Sequence, residues 1–215
     1  MTAPDAQREL FAAGDTLPDD LAFERRLLAK GIRRIAGTDE AGRGCLAGPV
    51  VAAAVILHPD QRIDGVTDSK ALSAERRATL AEQIRSEALA WSVAACSPEE
   101  IDRLNILWAA MEAMRRAVTA LEPAAEYVLI DGNTEIPRLE LPAKTLVKGD
   151  SRSHSVAAAS ILAKTHRDAL MLQLHEKHPG FGWNSNMGYP TESHYQGLAT
   201  HGPTPHHRRS FRLAK

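Results

Sequence analysis

An α/β fold built on a mixed sheet is predicted by three observations. Arg34 to Asp39 and Pro49 to Leu57 are apolar, strand-like runs joined only by Glu40 to Gly48, too short for a helical crossover, so they must pair antiparallel. Beyond them, strand-like runs alternate with helix-periodic ones, the pattern of an α/β sheet flanked by helices. The 215 residues, 44% hydrophobic and 25% charged, suit one globular domain with a buried core.

Residues 1–20 are polar, Ala-rich and without periodicity, which predicts an arm leading into a short helix near Leu21 to Lys30. The two strands follow, separated by Ala41-Gly42-Arg43-Gly44. Ser73 to Leu89 has helical spacing through Leu80 and Ile84, with Ser73 as N-cap. Trp91 to Cys96 reads as a strand. Ser97-Pro98-Glu99-Glu100 then starts a helix, with a cap, a proline at the first position and acids in the first turn. That helix is expected to reach Leu121, with Ile101, Leu104, Leu107, Trp108, Met111 and Met114 on its apolar side. Glu126 to Asp131 is a strand stopped by Gly132-Asn133, and Ala143 to Lys148 another, stopped by Gly149-Asp150. Ser153 to His178 is an Ala-rich helix ended by Pro179-Gly180, and one short helix is expected after Pro190. The expected division is an arm (1–20), a main domain (21–182) and a C-terminal extension packed on it (183–215).

Charge excludes a globally basic nucleic-acid binder: 26 Lys and Arg against 27 Asp and Glu leave −1. The sum hides a partition. From His201 to Lys215 stand Arg208, Arg209, Arg212, Lys215 and three histidines with no acid, whereas the arm carries Asp5, Glu9, Asp15, Asp19 and Asp20. Cys45 and Cys96 have no metal-ligand spacing and read as free thiols. No apolar run approaches the ~20 residues of a membrane span, and the acidic arm is unlike a presequence, so a cytoplasmic chain is expected, with no membrane partner.

The chemically suggestive residues are acids at strand ends, where acids are depleted. Asp39-Glu40 closes the first strand, Asp131 closes the EYVLID strand, and Asp168 lies in the long helix. Gathered carboxylates repel unless a cation sits between them, and hard oxygen donors suit Mg²⁺. The same residues also fit plain turn chemistry at Asp131 and a solvated helix position at Asp168. Neighbours on a regular strand face opposite ways, so Asp39 and Glu40 share a site only if the strand ends or bends there. Gly42-Arg43-Gly44 admits close backbone approach to a ligand, but it is neither a Walker loop nor a GxGxxG turn. Ser160, Lys164 and Asp168 recur every fourth residue and share one helix face, which fits either a phosphate-facing set or an ordinary Lys–Asp pair.

The stretch from Gly37 to Val50, GTDEAGRGCLAGPV, resembles the signature of the ribonuclease HII family. In that family's order follow Asp68-Ser69-Lys70-Ala71-Leu72, Ile101-Asp102 to Asn105-Ile106-Leu107, Ile130-Asp131-Gly132-Asn133, Lys148-Gly149-Asp150, and Ala158 to Lys164 leading to Arg167-Asp168. Gly188-Tyr189-Pro190-Thr191 and His206-His207-Arg208-Arg209-Ser210-Phe211 complete the series, so the resemblance covers nearly the whole chain.

The resemblance implies a ribonuclease H-like fold with a small C-terminal helical extension. It also implies a metal-dependent endonuclease that hydrolyses the RNA strand of RNA–DNA hybrids and nicks duplex DNA 5′ to an embedded ribonucleotide, leaving 3′-hydroxyl and 5′-phosphate ends. Asp39, Glu40, Asp131 and Asp168 become the carboxylates holding Mg²⁺ or Mn²⁺. Backbone groups of Gly42, Arg43 and Gly44 would read the ribose 2′-OH, the group that separates RNA from DNA. Tyr189 would pack against the sugar on the 3′ side and check the junction. Lys70, Lys148, Arg152, Ser160 and Lys164 are further candidates for contacts with the nucleic-acid backbone, and a monomer is expected. The sequence departs from the family pattern at Arg152-Ser153-His154-Ser155, at Thr165-His166, and at Trp183 to Met187, where the usual basic residue is missing. His201, His206 and His207 are expected to be solvated or packing residues. The sister type, ribonuclease HIII, is disfavoured by the GRG form of the loop, and a non-catalytic hybrid-binding module by the presence of all four acids.

Overall fold

The computed structural model describes residues 20–59, 61–67, 69 and 72–214. The arm expected over 1–20 therefore lies outside the described residues but for Asp20, and so does Lys70. The elements in chain order are α1 (Ala22–Leu28), β1 (Ile35–Ala41), β2 (Val50–Ile56), α2 (Ala74–Glu87), β3 (Ala90–Cys96), α3 (Pro98–Leu104), α4 (Ile106–Thr119), β4 (Tyr127–Asp131), β5 (Ala143–Leu146), α5 (His154–Lys177), the one-turn α6 (Trp183–Asn186) and α7 (Glu192–His201).

The strands form one open sheet in the order β3-β2-β1-β4-β5. β1 pairs antiparallel with β2, as the short connection requires, and β2 with β3; β4 joins β1 in parallel and β5 joins β4 in parallel. β2 is buried along its whole length, which is why it reads as a continuous apolar run. Its residues divide by parity. Val50, Ala52, Ala54 and Ile56 meet Met111, Met114 and Val118 of α4, whereas Ala53 and Val55 share a second core with Leu80 and Ile84 of α2 and Ile161 and Leu162 of α5. Helices therefore cover both faces. A cluster of Leu46, Ala47, Met171, Phe181, Trp183 and Leu198 fastens the C-terminal segment to the glycine-loop side of the sheet. Among the described residues no helix is long and apolar enough to cross a membrane.

One expected element divides. The helix predicted from Pro98 to Leu121 is two, because Asn105 takes φ 65° between α3 and α4. Its side chain accepts from Leu107 N (3.0 Å) and Trp108 N (3.2 Å), capping α4, as asparagine does more readily than other non-glycine residues in this conformation. The break also turns Trp108 outward, 44% exposed, instead of onto the apolar side. Both cysteines are buried free thiols.

Candidate active site

The register places the acids. β1 pairs with β4 from Ile35↔Tyr127 to Thr38↔Ile130, so Asp39 and Asp131 are the next residues along two parallel neighbours that there part. β1 continues against β2 to Ala41↔Val51, and β4 against β5 at Asp131↔Leu146. The gap is a crevice at the carboxyl ends of parallel strands, where α/β sheets bind ligands. It forms a cleft of about 260 Å³ lined by Asp39, Glu40, Asp131, the Gly42–Gly44 loop, Ser69, Ser160, Lys164 and Tyr189. Asp39 and Glu40 share it although β1 runs on past them, because beyond Thr38 the strand has a free edge around which the hollow extends. A larger groove of about 500 Å³ over α3 and α4 has a single carboxylate, Glu112, among its lining residues.

Asp39 is 6% exposed, and its carboxyl is pushed well above the usual carboxylate range by burial and by the charges of Glu40 and Asp131. The Glu40 N–H donates to it at 2.7 Å, and that bond and the nearby Ser160 hydroxyl oppose the rise. Burial also raises Glu40, against the pull of Arg43, whose Nη1 lies 3.1 Å from Glu40 Oε1. Asp131 Oδ1 accepts from Gly149 N at 2.6 Å, so the β5–α5 turn holds that carboxylate by one oxygen. The lining offers carboxylates and hydroxyls but neither imidazole nor thiolate, a hard oxygen set that fits Mg²⁺ or Mn²⁺. Among the described residues no three acidic, imidazole or thiol groups already form a closed ligand shell.

The loop between β1 and β2 supplies the opposite wall. Gly42 has φ +97°, and a Cβ there would lie 1.9 Å from Arg167 Nε, so both conformation and space demand glycine. Gly44 differs: a Cβ would stand 3.9 Å from the Tyr189 ring, an ordinary contact. Tyr189 is 41% exposed on the cleft, with its hydroxyl toward the buried Cys45 thiol.

A family model described as Ribonuclease HII matches residues 36–214. The chain belongs to the ribonuclease HII family. Ribonuclease HII of Salinibacter ruber is 58% identical over 196 residues, 90% of this chain and 98% of that one. Among solved structures, ribonuclease H2 of Pyrococcus horikoshii aligns with a TM-score of 0.70 at 26% identity, over 84% of this chain and 95% of that one. Ribonuclease HII of Archaeoglobus fulgidus, solved in complex with PCNA, aligns with a TM-score of 0.70 at 30% identity, over 85% and 96%. The protein is thus an endonuclease of the ribonuclease H type, a hydrolase of RNA–DNA hybrids.

Within this ribonuclease HII, Asp39, Glu40 and Asp131 line one cleft, while Asp168 stands behind Lys164. Its Oδ1 is 2.6 Å from Lys164 Nζ and its Oδ2 3.4 Å from Arg77 Nη2. Ser160 is buried against Ser69 Oγ at 3.0 Å, and Lys148 is exposed in a left-handed turn just before Gly149. Several supporting residues escaped the sequence reading. Arg77 donates to Ser69 O (2.7 Å) and Leu72 O as well as to Asp168, so it ties the Ser69 segment to α5. A signal existed: Arg77 falls on the stripe with Leu80, Ala81 and Ile84, the buried face of α2. Arg208, one of the four cations in the acid-free stretch from His201 to Lys215, is completely buried rather than exposed.

The histidines near the C-terminus also divide. His201 is exposed and His206 half-buried, but His207 is buried in a chain of hydrogen bonds. Thr204 N donates to His207 Nδ1 (3.0 Å), which leaves His207 Nε2–H to donate to His194 Nε2 (3.1 Å). Trp183 Nε1–H also donates to His194 Nε2, so His194 Nδ1–H donates to the Tyr189 carbonyl (3.0 Å). Both imidazoles are neutral in this assignment, made from the network. Burial and the neighbouring His194 push His207 down to about 4. Because the folded value lies below that of a free histidine, this contribution to stability is complete above about pH 6.5 and is lost as the pH falls toward about 4. An NMR titration should find the His207 ring neutral at pH 5.5, with the melting temperature declining below pH 6.5; an imidazole midpoint near 6.5 would contradict the network.

Proposed function

We propose that this ribonuclease HII is a cytoplasmic monomer that cleaves hybrids with Mg²⁺ or Mn²⁺ and also nicks duplex DNA 5′ to a single embedded ribonucleotide, leaving 3′-hydroxyl and 5′-phosphate ends. The observation that carries the reading is the burial of Asp39 between Glu40 and Asp131 in a cleft whose other wall is the Gly42–Gly44 loop. Asp39, Glu40 and Asp131 would hold the cations, with Asp168 the fourth acid of the set, kept by Lys164 and Arg77. The bound cations would supply an activated water and neutralise charge developing on the phosphodiester.

The chain's own groups do the rest. Lys164 and Ser160 face the cleft from α5, where a scissile phosphate would lie, and Lys148, exposed beside Gly149, is a further candidate for the backbone of the nucleic acid. Gly44 keeps the wall beside Tyr189 free of side chain, so that a sugar can reach the backbone of the loop. Tyr189 packs on the next sugar, its hydroxyl toward the Cys45 thiol and its carbonyl held by His194.

Purified protein incubated with duplex DNA bearing one ribonucleotide should nick it on the 5′ side with Mg²⁺ or Mn²⁺ and not with chelator. Absence of a nick with either metal, while hybrids are still cut, would overturn the single-ribonucleotide activity. Tyr189→Ala should lose junction cleavage by ~10-fold more than hybrid cleavage, an energy of about 1.4 kcal/mol. Equal losses on the two substrates would remove Tyr189 from junction checking.

A further inference from the structure

Arg208 follows α7 in the chain and is buried with no carboxylate in an ion pair with it among the described residues. Its partners are backbone carbonyls from both ends of the glycine loop. Nη2 donates to Gly42 O (2.7 Å) and Pro49 O (3.2 Å), Nη1 to Arg43 O (2.9 Å) and Nε to Gly48 O (3.0 Å). The Arg208 N–H also donates to Leu46 O (2.9 Å), and the Phe211 ring lies 5.2 Å from the guanidinium carbon. Burying an unpaired cation is costly unless hydrogen bonds replace its hydration, and four carbonyls supply them here.

A rigid guanidinium fork meets four carbonyls only when the loop backbone holds one conformation. In a planar trans peptide the C=O and the following N–H point in opposite directions. Carbonyls of Gly42 and Arg43 turned toward Arg208 therefore turn the N–H groups of Arg43 and Gly44 away from it. Both residues line the cleft, and among the described residues these two N–H groups meet no protein acceptor.

We propose that Arg208 is a positioning residue for ribose recognition: by gripping the Gly42 and Arg43 carbonyls from beneath, it presents the Arg43 and Gly44 amides to the cleft as a fixed pair of donors for the 2′-hydroxyl. The proposal rests on the reading that this loop senses that hydroxyl. Arg167, buried against Gly42 and donating to Ala47 O, Pro49 O and Met187 O, supports the loop's far end but leaves the Gly42 and Arg43 carbonyls to Arg208.

The test compares wild type, Arg208→Lys and Arg208→Met in binding to uncleaved duplexes in chelator, one all-DNA and one with a single ribonucleotide. The expected result is a fall of roughly tenfold in the preference for the ribonucleotide duplex in Arg208→Met, a smaller fall in Arg208→Lys, and unchanged affinity for all-DNA duplex. A merely structural role would lower the melting temperature and leave the preference intact, which would overturn the proposal. Amide NMR separates failure of the underlying reading. A wild type without preference would refute 2′-hydroxyl sensing, whereas Arg43 and Gly44 signals unchanged in Arg208→Met would refute the positioning role itself. If Arg208→Met does not fold, Asp102→Ala serves instead. It frees the backbone of Arg209 and Ser210 (2.8 Å each to Asp102) and should reduce the preference in the same direction; an unaltered preference and unaltered loop signals count against the proposal.

Discussion

Asp39→Asn should abolish cleavage of RNA–DNA hybrids and at the same time raise the melting temperature of the metal-free protein. The two effects share one cause. Asp39 is a buried carboxyl beside Glu40 and Asp131, and burial with like charges holds its pKa well above the ordinary value. A carboxyl raised on folding favours the folded state less as the pH climbs past the unfolded value, so above that pH Asp39 costs stability. Asparagine keeps the shape and the acceptor for Glu40 N–H but carries no charge. A gain of about 1 kcal/mol or more, roughly 2–4 °C for a chain of this size, is expected in chelator. Activity should fall on the order of 10³-fold or more, because the group that would hold the cation is gone. Mg²⁺ or Mn²⁺ should raise the melting temperature of the wild type by ligand linkage and leave that of the variant where it was. Calorimetry with and without metal, beside a hybrid cleavage assay, reads all three effects. A variant that melts lower than wild type in chelator, or retains the metal-induced shift, would contradict this account of the cleft.

Gly37→Ala should prevent folding or destabilise the fold severely. Gly37 lies in the middle of β1, where a Cβ would stand 2.2 Å from Ser155 C and Val156 N and 2.5 Å from Ser155 O. Those are backbone atoms of the first turn of α5, so no rotamer change can make room. The helix would have to lift off the strand, and with it Ser160 and Lys164 would leave the cleft and the core around Ile161 and Leu162 would open. Overpacking against backbone at such distances costs at least about 4 kcal/mol, a large share of what holds a domain together. The α5 terminus has little freedom to yield, since Ser153 and Ser155 both hydrogen-bond to Glu24 on α1, and His154 bridges Asp20 and Ile63 N. Insoluble expression, or a circular dichroism melt displaced by more than 10 °C, roughly what ~4 kcal/mol implies, is the expected outcome. A soluble Gly37→Ala enzyme with a melt close to wild type would show that β1 and α5 do not touch in this way.

Much of this was legible in the chain because it depends on near neighbours. Antiparallel pairing of β1 and β2 follows from a connection too short to cross over, and β2 reads as buried because every position in it is apolar. Ser73, Ser97 and Ser153 cap the helices whose starts they mark, since a hydroxyl reaches only the next few amides. The break at Asn105 was less visible. A side chain that caps α4 is also an acceptable helix residue, and its positive φ is a property of the packed pair α3–α4.

The acids were found as strand-end anomalies, yet that Asp39 and Asp131 meet depends on β1 and β4 parting after Thr38↔Ile130, a matter of register across some ninety residues of chain. The family motifs named the glycine loop, but nothing in residues 201–215 distinguishes a guanidinium that will be buried from three cations that suggest a surface. Arg208 meets Gly42 across 166 positions of sequence, and Arg77 meets Asp168 across 91. The sequence by itself determined the strands, the helices, their caps and the set of acids, because each depends on hydrogen bonds and periodicities within a few residues. Only the tertiary structure decided which acids share the cleft, which basic residues face inward, and how the glycine loop is held. Those outcomes follow from burial and electrostatics among groups that proximity along the chain does not connect.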